Sequence, residues 1–331
     1  MKKVNKPSSG ARHLIKEIKP IFNKHNRYHS SELRTISTRT QTVRWQVIRR
    51  ALIDLHDILE FKVQSVHHIK QKHIHELAFY WEFIKKYSPG TIQNNLSILR
   101  TFFNWLGKRD FIPSNEKLFK VKTTYQRTLC SNVDKSWKGN GIDLGETIQN
   151  IYQHDERVAV QLLYCLAFGL RVSESACSKP HQADLGDRIQ VAWGSKGGRY
   201  REVKITDPVQ RNVLELMKAY TIKETQSTIP PRYNLKKWLS HFYYVIRVYG
   251  DLTKKDLGVT PHGLRHEFAI NMYEFLSGLA APVRELVQLS VQNKKIDRKA
   301  RVELSEALGH SRIDVVGAYI GQVVGRLSKK S

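Results

Sequence analysis

The sequence predicts a mainly α-helical fold with a small antiparallel β-sheet, divided between two domains. Apolar residues recur at three- and four-residue steps through most of the chain, which is typical of amphipathic helices. Only the segments 188–193 and 200–205 alternate between apolar and polar residues, and the glycine-rich turn between them indicates a hairpin. The 331 residues, 40% of them hydrophobic, are enough for two packed domains.

The N-terminal part predicts a helical domain over residues 35–115. Residues 1–34 are polar and basic and are interrupted by a Pro-Ser-Ser-Gly stretch, so they predict a flexible arm with one short helix near 14–22. The domain itself begins with an apolar stripe over residues 45–59, and a further helical stretch covers 73–87.

The last helix of this domain follows the Ser-Pro-Gly break at 88–90 and is expected to end at Gly107. A polar, glycine-containing stretch then predicts an interdomain linker over residues 116–142.

The second domain is expected to span residues 143–322. A strongly apolar helix over 158–168 ends at Gly169, the hairpin comes next, and the pattern becomes helical again from Pro208. Residues 323–331 are expected to form a short C-terminal tail.

The charge balance predicts a polyanionic partner. Lys and Arg total 55 against 30 Asp and Glu, a net charge of +25, and an excess of that size opposes compaction by self-repulsion. No apolar run is long enough to span a bilayer, which favours nucleic acid over membrane.

The basic N-terminus lacks a following apolar stretch, so no secretory signal is predicted. The three cysteines lack paired spacing, which favours reduced thiols in the cytoplasm.

The stretch TPHGLRHEFAINM, residues 260–272, carries the most concentrated chemistry. His262, Arg265 and His266 fall on one face within the first two turns of a predicted helix. Free backbone N–H groups and the positive end of the helix dipole favour an anion at that position. A solvated basic helix remains an alternative on residue types alone.

A zinc site is a further alternative, and two residues argue against it. His262 and His266 have the four-residue spacing of zinc hydrolases, but Gly263 stands where such sites usually carry Glu. Arg265 between the two histidines would also repel a cation. For these two reasons no metal cofactor is predicted. No phosphate-binding glycine motif occurs in the chain, so ATP is not a predicted cofactor either.

Four segments in order along the chain resemble the tyrosine recombinase, or phage integrase, family. They are LAFGLRVSES, GSKGGRYREVKI, HGLRH and ALGHSRIDVVGAYIG. The stretch 90–107 is also similar to the last helix of that family's SAM-like core-binding domain, so the resemblance extends over residues 40–322. It implies a helical core-binding domain followed by an α+β tyrosine recombinase catalytic domain.

The resemblance assigns roles to individual residues. The implied catalytic residues are Tyr319 as nucleophile, Arg171, Arg265, His262, His310 and Lys196. The implied supporting residues are Glu174 and His266. The arginines expected to contact DNA are Arg44, Arg49, Arg50, Arg199 and Arg201.

These residue types suit strand cleavage without a metal. A tyrosine hydroxyl can attack phosphorus and form a covalent intermediate. Two arginines can match the charge of the pentavalent phosphate with bidentate, permanently charged guanidinium groups. A lysine on a hairpin can donate a proton to the departing 5′ oxygen.

By resemblance, the chain is expected to be a site-specific recombinase of a prophage or mobile element, acting in the bacterial cytoplasm. The expected partners are double-stranded DNA, further copies of the chain in a tetramer on paired sites, and an accessory DNA-bending protein. Two alternatives remain open: a non-cleaving, architectural DNA-binding protein on the same fold, and an enzyme similar to type IB topoisomerases or resolvases.

Three details of the sequence call for a structural explanation. A straight helix over residues 311–319 would rise roughly 13 Å, which is too far for both ends to reach one phosphate, so a bend near Gly317 or another route for His310 is expected. Glu267 stands where the family usually has a small hydroxyl residue. The charged segment 290–303 predicts either an exposed helical extension or an additional contact with DNA or a second protomer.

Overall fold

The computed structural model describes residues 6–29, 34–126, 130–252, 259–285 and 290–323. The chain divides into two compact units, residues 1–128 and residues 129–331. The predicted fold class is confirmed, because the described residues are mainly helical with one two-stranded antiparallel sheet. None of the three cysteines forms a disulfide. In the described part of the chain, no helix combines the length and the apolar character needed to cross a membrane.

Unit 1 is built from helices throughout its described residues. They are α1 (Ser9–His25), α2 (Thr38–Ile53), α3 (Gln71–Phe79), α4 (Pro89–Trp105), α5 (Asn115–Leu118) and α6 (Lys122–Tyr125). Helices α2 and α3 each continue into a π-helical turn, Asp54–Ile58 and Tyr80–Ile84, and Val66–His68 form a 3-10 turn.

Helix α1 is part of the core of unit 1. Leu14 and Ile18 are fully buried, and the Phe22 ring packs among the aromatic residues of the same core. The short helix expected near residues 14–22 is therefore confirmed, and it extends over residues 9–25, but it packs in the core instead of belonging to a flexible arm. These apolar side chains recur every four residues, so they form a stripe that removes one face of the basic helix from water.

Arg44 also belongs to this core, and its expected contact with DNA stays a prediction. It lies four residues before Ile48 on the buried face of α2 and is only 7% exposed. Its guanidinium lies 5.7 Å from the centre of the Trp105 ring, and Nη1 donates to the Tyr28 carbonyl at 3.0 Å. A long aliphatic stem and a planar charged group allow arginine to occupy such a position.

Unit 2 contains the sheet and a larger set of helices. Among the described residues of this unit, the helices are α7 (Leu144–His154), α8 (Glu156–Phe168), α9 (Val172–Cys177), α10 (Pro180–Ala183), α11 (Pro208–Ala219), α12 (Leu235–Tyr249), α13 (His262–Ser277), α14 (Val291–Ala307) and α15 (Gly317–Ile320). The strands are β1 (Arg188–Val191) and β2 (Arg201–Lys204), paired so that Arg188 is opposite Lys204 and Val191 is opposite Arg201. The 3-10 turns are Lys138–Asn140, Lys196–Gly198 and Ile313–Val316.

The expected linker over residues 116–142 is divided between the two units. Its first part forms most of α5 and all of α6 in unit 1. Its last part belongs to unit 2, where the Trp137 ring is fully buried and Nε1 donates to the Thr260 carbonyl at 2.9 Å. The apolar indole therefore holds this polar stretch against the start of α13.

Helix α8 is the central element of unit 2 and provides a fixed support for the segment at its C-terminal end. Its one buried amide is satisfied, because Gln161 donates to the Thr228 hydroxyl at 3.2 Å and accepts from Trp238 Nε1 at 2.9 Å. The helix ends at Gly169, as predicted, in the left-handed conformation (φ +60°) that glycine adopts without strain. The chain then turns directly into the Arg171 segment.

Candidate active site

Arg171 and Glu174 form the first part of the site, at the beginning of α9. Arg171 occupies the N-cap position, and its backbone N–H donates to Glu174 Oε2 at 2.8 Å. Its side chain reaches the same carboxylate, with Nη1 2.5 Å from Oε1. Local capping therefore brings Glu174, which is 1% exposed, back over the start of its own helix.

Two further arginines converge on the Glu174 carboxylate. Arg201 donates to both of its oxygens, at 3.0 and 2.8 Å, and Arg265 Nη1 lies 3.8 Å from Oε2. Burial would raise the pKa of Glu174, but the hydrogen bonds and charges of Arg201 and Arg171 lower it to about 2. Three guanidinium groups and one carboxylate leave a charge of 3 − 1 = +2, which favours a bound anion.

Arg265 is fully buried and connects three segments of unit 2. Nη1 donates to the Gly169 carbonyl at the end of α8, and Nη2 donates to the Leu308 carbonyl just beyond α14 at 2.5 Å. Nε donates to the Tyr319 hydroxyl at 3.2 Å. Arg265 therefore places a fixed positive charge beside a phenol oxygen.

The Tyr319 ring lies within a group of three histidines. The ring centres of His262, His266 and His310 lie 5.9, 4.8 and 5.7 Å from its own. Tyr319 is 6% exposed, and His266 is equally buried. In the described ranges, no group of three or more His, Cys, Asp or Glu side chains is arranged to hold a metal ion.

The chain reaches Tyr319 from His310 through a sharp change of direction. Gly309 adopts a left-handed conformation (φ +67°), and Arg312 is extended, so no straight helix joins the two residues. The 3-10 turn Ile313–Val316 then leads into the single helical turn α15. The expected departure from a straight helix is confirmed, and it lies before the 3-10 turn, at residues 309–312.

Gly317 fixes the beginning of α15 against a neighbouring segment. A Cβ at this position would lie 2.7 Å from the Sγ of Cys130, and the Gly317 carbonyl accepts from the Ser131 N–H at 2.9 Å.

We expect Gly317→Ala to lower the free energy of unfolding by about 1–3 kcal/mol, because the new methyl group overpacks the site. Adding Cys130→Ala should restore most of this loss, as measured by urea unfolding. A double variant no more stable than Gly317→Ala would contradict this account.

The three histidines are neutral at physiological pH. Burial and the charges of Arg265 and Arg171 lower the pKa of His310 to about 4. Burial and the neighbouring His262 lower the pKa of His266 to about 4. His262 is the most exposed of the three residues. Even so, the protein atoms around its ring exclude part of the solvent, and this desolvation together with the charge of Arg265 lowers its pKa to about 4. Neutral imidazoles can accept a proton.

These lowered pKa values predict a pH-dependent stability. Between about pH 6.5 and about pH 4 the unfolded chain binds more protons than the folded one, so acid destabilises the fold through this window and the effect is absent above it. We expect the free energy of unfolding, measured in urea, to fall between about pH 7.5 and about pH 5. His266→Leu should reduce the dependence, with the exposed His181 replaced as the matched control. An unchanged dependence in His266→Leu would refute the account.

Glu267 does not enter the Tyr319 group. It is 1% exposed; Oε2 accepts from the Lys138 N–H at 3.1 Å, and Oε1 lies 3.4 Å from Arg284 Nη2. It therefore anchors the 3-10 turn Lys138–Asn140 to α13. The departure from the family pattern serves packing at this position.

Lys196 lies in the connection between β1 and β2, in the 3-10 turn Lys196–Gly198. Gly197 and Gly198 both have positive φ, +76° and +69°, which glycine adopts without strain. The Lys196 side chain lies outside the described part of the structure, so its expected role stays a prediction.

The other arginines expected to contact DNA differ in their surroundings. Arg49 and Arg199 are exposed, and Arg50 is half-buried with Nε 2.8 Å from Asp54 Oδ1. Arg201 is 6% exposed and its guanidinium is bound to Glu174 and the Ala307 carbonyl, so its expected contact with DNA stays a prediction. The alternation along β2 indicates the burial of Arg201, because Arg201 shares a face of the strand with the buried Val203.

The charged segment 290–303 forms most of α14 and carries a buried ion pair. Arg301 Nε donates to Asp297 Oδ1 at 2.7 Å, and the Tyr273 hydroxyl donates to the same oxygen at 2.8 Å. Arg301 Nη1 also donates to the Gly321 carbonyl at 3.2 Å, just beyond α15. One face of this helix therefore packs on the rest of unit 2 and supports the Tyr319 turn.

The C-terminal tail expected over residues 323–331 lies outside the described residues from position 324 onward.

The family models and the curated relatives that match this chain all describe integrases or tyrosine recombinases. The model described as "Phage integrase, N-terminal" matches residues 26–112, and the "Phage integrase family" model matches residues 144–290. Tyrosine recombinase XerA of Thermococcus kodakarensis is 28% identical over 176 residues, which is 53% of each chain. XerA of Pyrococcus furiosus is 31% identical over 121 residues, 36% of this chain and 41% of the relative. The chain thus spans about half the length of the curated relatives it matches.

Two solved structures support the fold. A lambda integrase dimer bound to a COC′ core site has a TM-score of 0.57 at 16% identity, covering 94% of this chain and 98% of the other. The XerH site-specific recombinase bound to its difH substrate has a TM-score of 0.57 at 14% identity, covering 96% and 94%.

Proposed function

The chain belongs to the phage integrase family of tyrosine recombinases, and on that premise we propose that it is a site-specific DNA recombinase. It cleaves and rejoins DNA strands through a 3′-phosphotyrosine at Tyr319, without a metal or a nucleotide cofactor. One observation carries the proposal: the Tyr319 hydroxyl lies 3.2 Å from Arg265 Nε, beside a buried cluster with excess positive charge.

In the cleavage step, the Tyr319 oxygen attacks the scissile phosphorus. A bond forms between the phenol oxygen and phosphorus, and the bond from phosphorus to the 5′ oxygen breaks. One of the surrounding neutral imidazoles accepts the phenol proton. Bound phosphate makes these histidines more basic than in the free protein, because a nearby anion favours the protonated form.

Arg171 and Arg265 stabilise the pentavalent phosphate. Arginine carries a permanent charge and presents its N–H groups in a fixed fork, which suits two non-bridging oxygens. Arg265 is already oriented by the Gly169 and Leu308 carbonyls, so little reorganisation is needed when the phosphate binds.

Lys196 donates the proton that the departing 5′ oxygen requires. Its place in the β1–β2 connection is consistent with a turn that approaches the DNA. The phosphotyrosine keeps the ester bond, so the 5′ hydroxyl of another strand can attack it and release Tyr319. Rejoining therefore needs no external energy source.

Affinity for double-stranded DNA comes mainly from phosphate contacts and falls steeply with salt, since the net charge is +25. Residues 35–115 act as the core-binding domain and residues 143–322 as the catalytic domain. Strand exchange takes place in a homotetramer on two paired sites, in the cytoplasm, with an accessory DNA-bending protein as a further partner.

A library of nicked duplexes with randomised sequence tests the proposal. Cleavage next to the nick releases a short fragment that carries the free 5′ hydroxyl. Because this fragment diffuses away, the strand cannot be rejoined, and the covalent adduct can be recovered on a denaturing gel. We expect an adduct that EDTA does not reduce. DNA retardation without an adduct would indicate a non-cleaving DNA-binding protein, and an adduct that EDTA abolishes would refute the metal-free mechanism. Relaxed plasmids without recombinants would indicate a topoisomerase.

A further inference from the structure

Arg201 is a buried charged residue for which the proposed reaction assigns no role. Its side chain is 4% exposed and lies on the inward face of β2. Both Nη atoms donate to Glu174, and Nε donates to the Ala307 carbonyl at 2.8 Å, at the end of α14. One guanidinium thus joins the sheet to α9 and α14.

The two oxygens of Glu174 are shared between Arg201 and Arg171. Oε1 accepts from Nη1 of both arginines, and Oε2 accepts from Arg201 Nη2 and from the Arg171 backbone N–H. Arg265 Nη1 remains 3.8 Å from Oε2, beyond hydrogen-bonding distance. Arg201 therefore supplies two of the four hydrogen bonds that satisfy the buried carboxylate.

A second contact of Arg201 lies next to His310. A Cβ on Gly309 would be 2.8 Å from Arg201 Cδ, so the aliphatic stem of Arg201 fills the space beside the turn that precedes His310. The side chain thus touches both the carboxylate between the arginines and the turn that presents a histidine to Tyr319.

We infer that Arg201 is a positioning residue that neutralises Glu174 and so keeps Arg265 free of the carboxylate and available for the scissile phosphate. Without Arg201 the carboxylate would draw in Arg265 and compete with the phosphate for it, because a buried carboxylate left without its partner draws in the nearest cations. This inference rests on the proposed function, since it presupposes a phosphate at the site.

Adduct formation on the nicked duplexes, under single-turnover conditions, tests the inference. We expect Arg201→Met to slow adduct formation by about 10- to 100-fold while DNA affinity is unchanged. Adding Glu174→Gln should recover part of the rate, because a neutral amide does not hold Arg171 or Arg265. A purely structural role predicts that the rate only follows the free energy of unfolding, which urea unfolding of the same variants measures.

Two variants keep the test decisive. Arg188→Met is the matched control: this arginine lies in the same sheet but is exposed and pairs with Asp187 and Glu202, so the wild-type rate is expected. If Arg201→Met does not fold, as judged by thermal unfolding, Arg201→Lys replaces it. Lysine keeps the charge but cannot span both carboxylate oxygens, and a reduced rate is again expected.

Three outcomes would overturn the inference: a wild-type rate in Arg201→Met, a wild-type rate in Arg201→Lys, or a double variant slower than the single one. If the wild-type protein itself forms no adduct, the proposed function has failed, and the inference falls with it.

Discussion

Tyr319→Phe is expected to abolish the covalent protein–DNA adduct. The change removes the hydroxyl that lies 3.2 Å from Arg265 Nε and leaves no oxygen at that position to attack phosphorus. The ring itself should still pack among the three histidines, so DNA affinity should remain close to wild type. The free energy of unfolding should fall by about 1 kcal/mol, because the buried Arg265 Nε loses its acceptor. Denaturing gels with labelled nicked duplexes measure the adduct, and gel retardation measures affinity.

A second tyrosine provides the control for this prediction. Tyr244 is 48% exposed on α12, and Tyr244→Phe should form the adduct at the wild-type rate. An adduct that persists in Tyr319→Phe would show that another residue is the nucleophile.

Arg265→Ala is expected to slow adduct formation by about a thousandfold or more, which corresponds to roughly 4 kcal/mol of transition-state stabilisation. DNA affinity should change little, because many phosphate contacts share the binding energy. The structure adds a second effect, a loss of stability, since the buried carbonyls of Gly169 and Leu308 lose their donors.

Two measurements separate these effects. Urea unfolding measures the loss of stability, and single-turnover adduct formation below the unfolding range measures the chemical step. Arg188→Ala, at an exposed position of the same unit, should leave both values near wild type. A rate for Arg265→Ala within about tenfold of wild type would rule out the assigned role of Arg265.

The fold class and the convergence of the site could be predicted from the sequence. Periodicity indicated the helices and the hairpin, and the four segments in order pointed to one site. The structure brings Arg265, Tyr319 and the three histidines into one group and places Arg171 against the carboxylate that Arg265 approaches. The departure from a straight helix before Tyr319 could also be predicted, because helical rise alone excludes the alternative.

The surroundings of the basic residues could not be predicted in the same way. Arg44 and Arg201 were expected to contact DNA, yet both are buried against partners from distant parts of the chain. The short helix near residues 14–22 could be predicted but its packing could not, since its charge is typical of a solvated arm while its apolar stripe packs into the core of unit 1.

The sequence by itself determined the helical elements, the hairpin and the order of the reactive residues, because each depends on neighbours along the chain. Only the tertiary structure decided how each arginine is bound within the protein, with Arg265 beside the Tyr319 hydroxyl and Arg201 on the Glu174 carboxylate. The physical reason is that burying a charge depends on an opposite charge or acceptor close in space. Arg201 meets Glu174 and the Ala307 carbonyl only after the sheet, α9 and α14 have packed together.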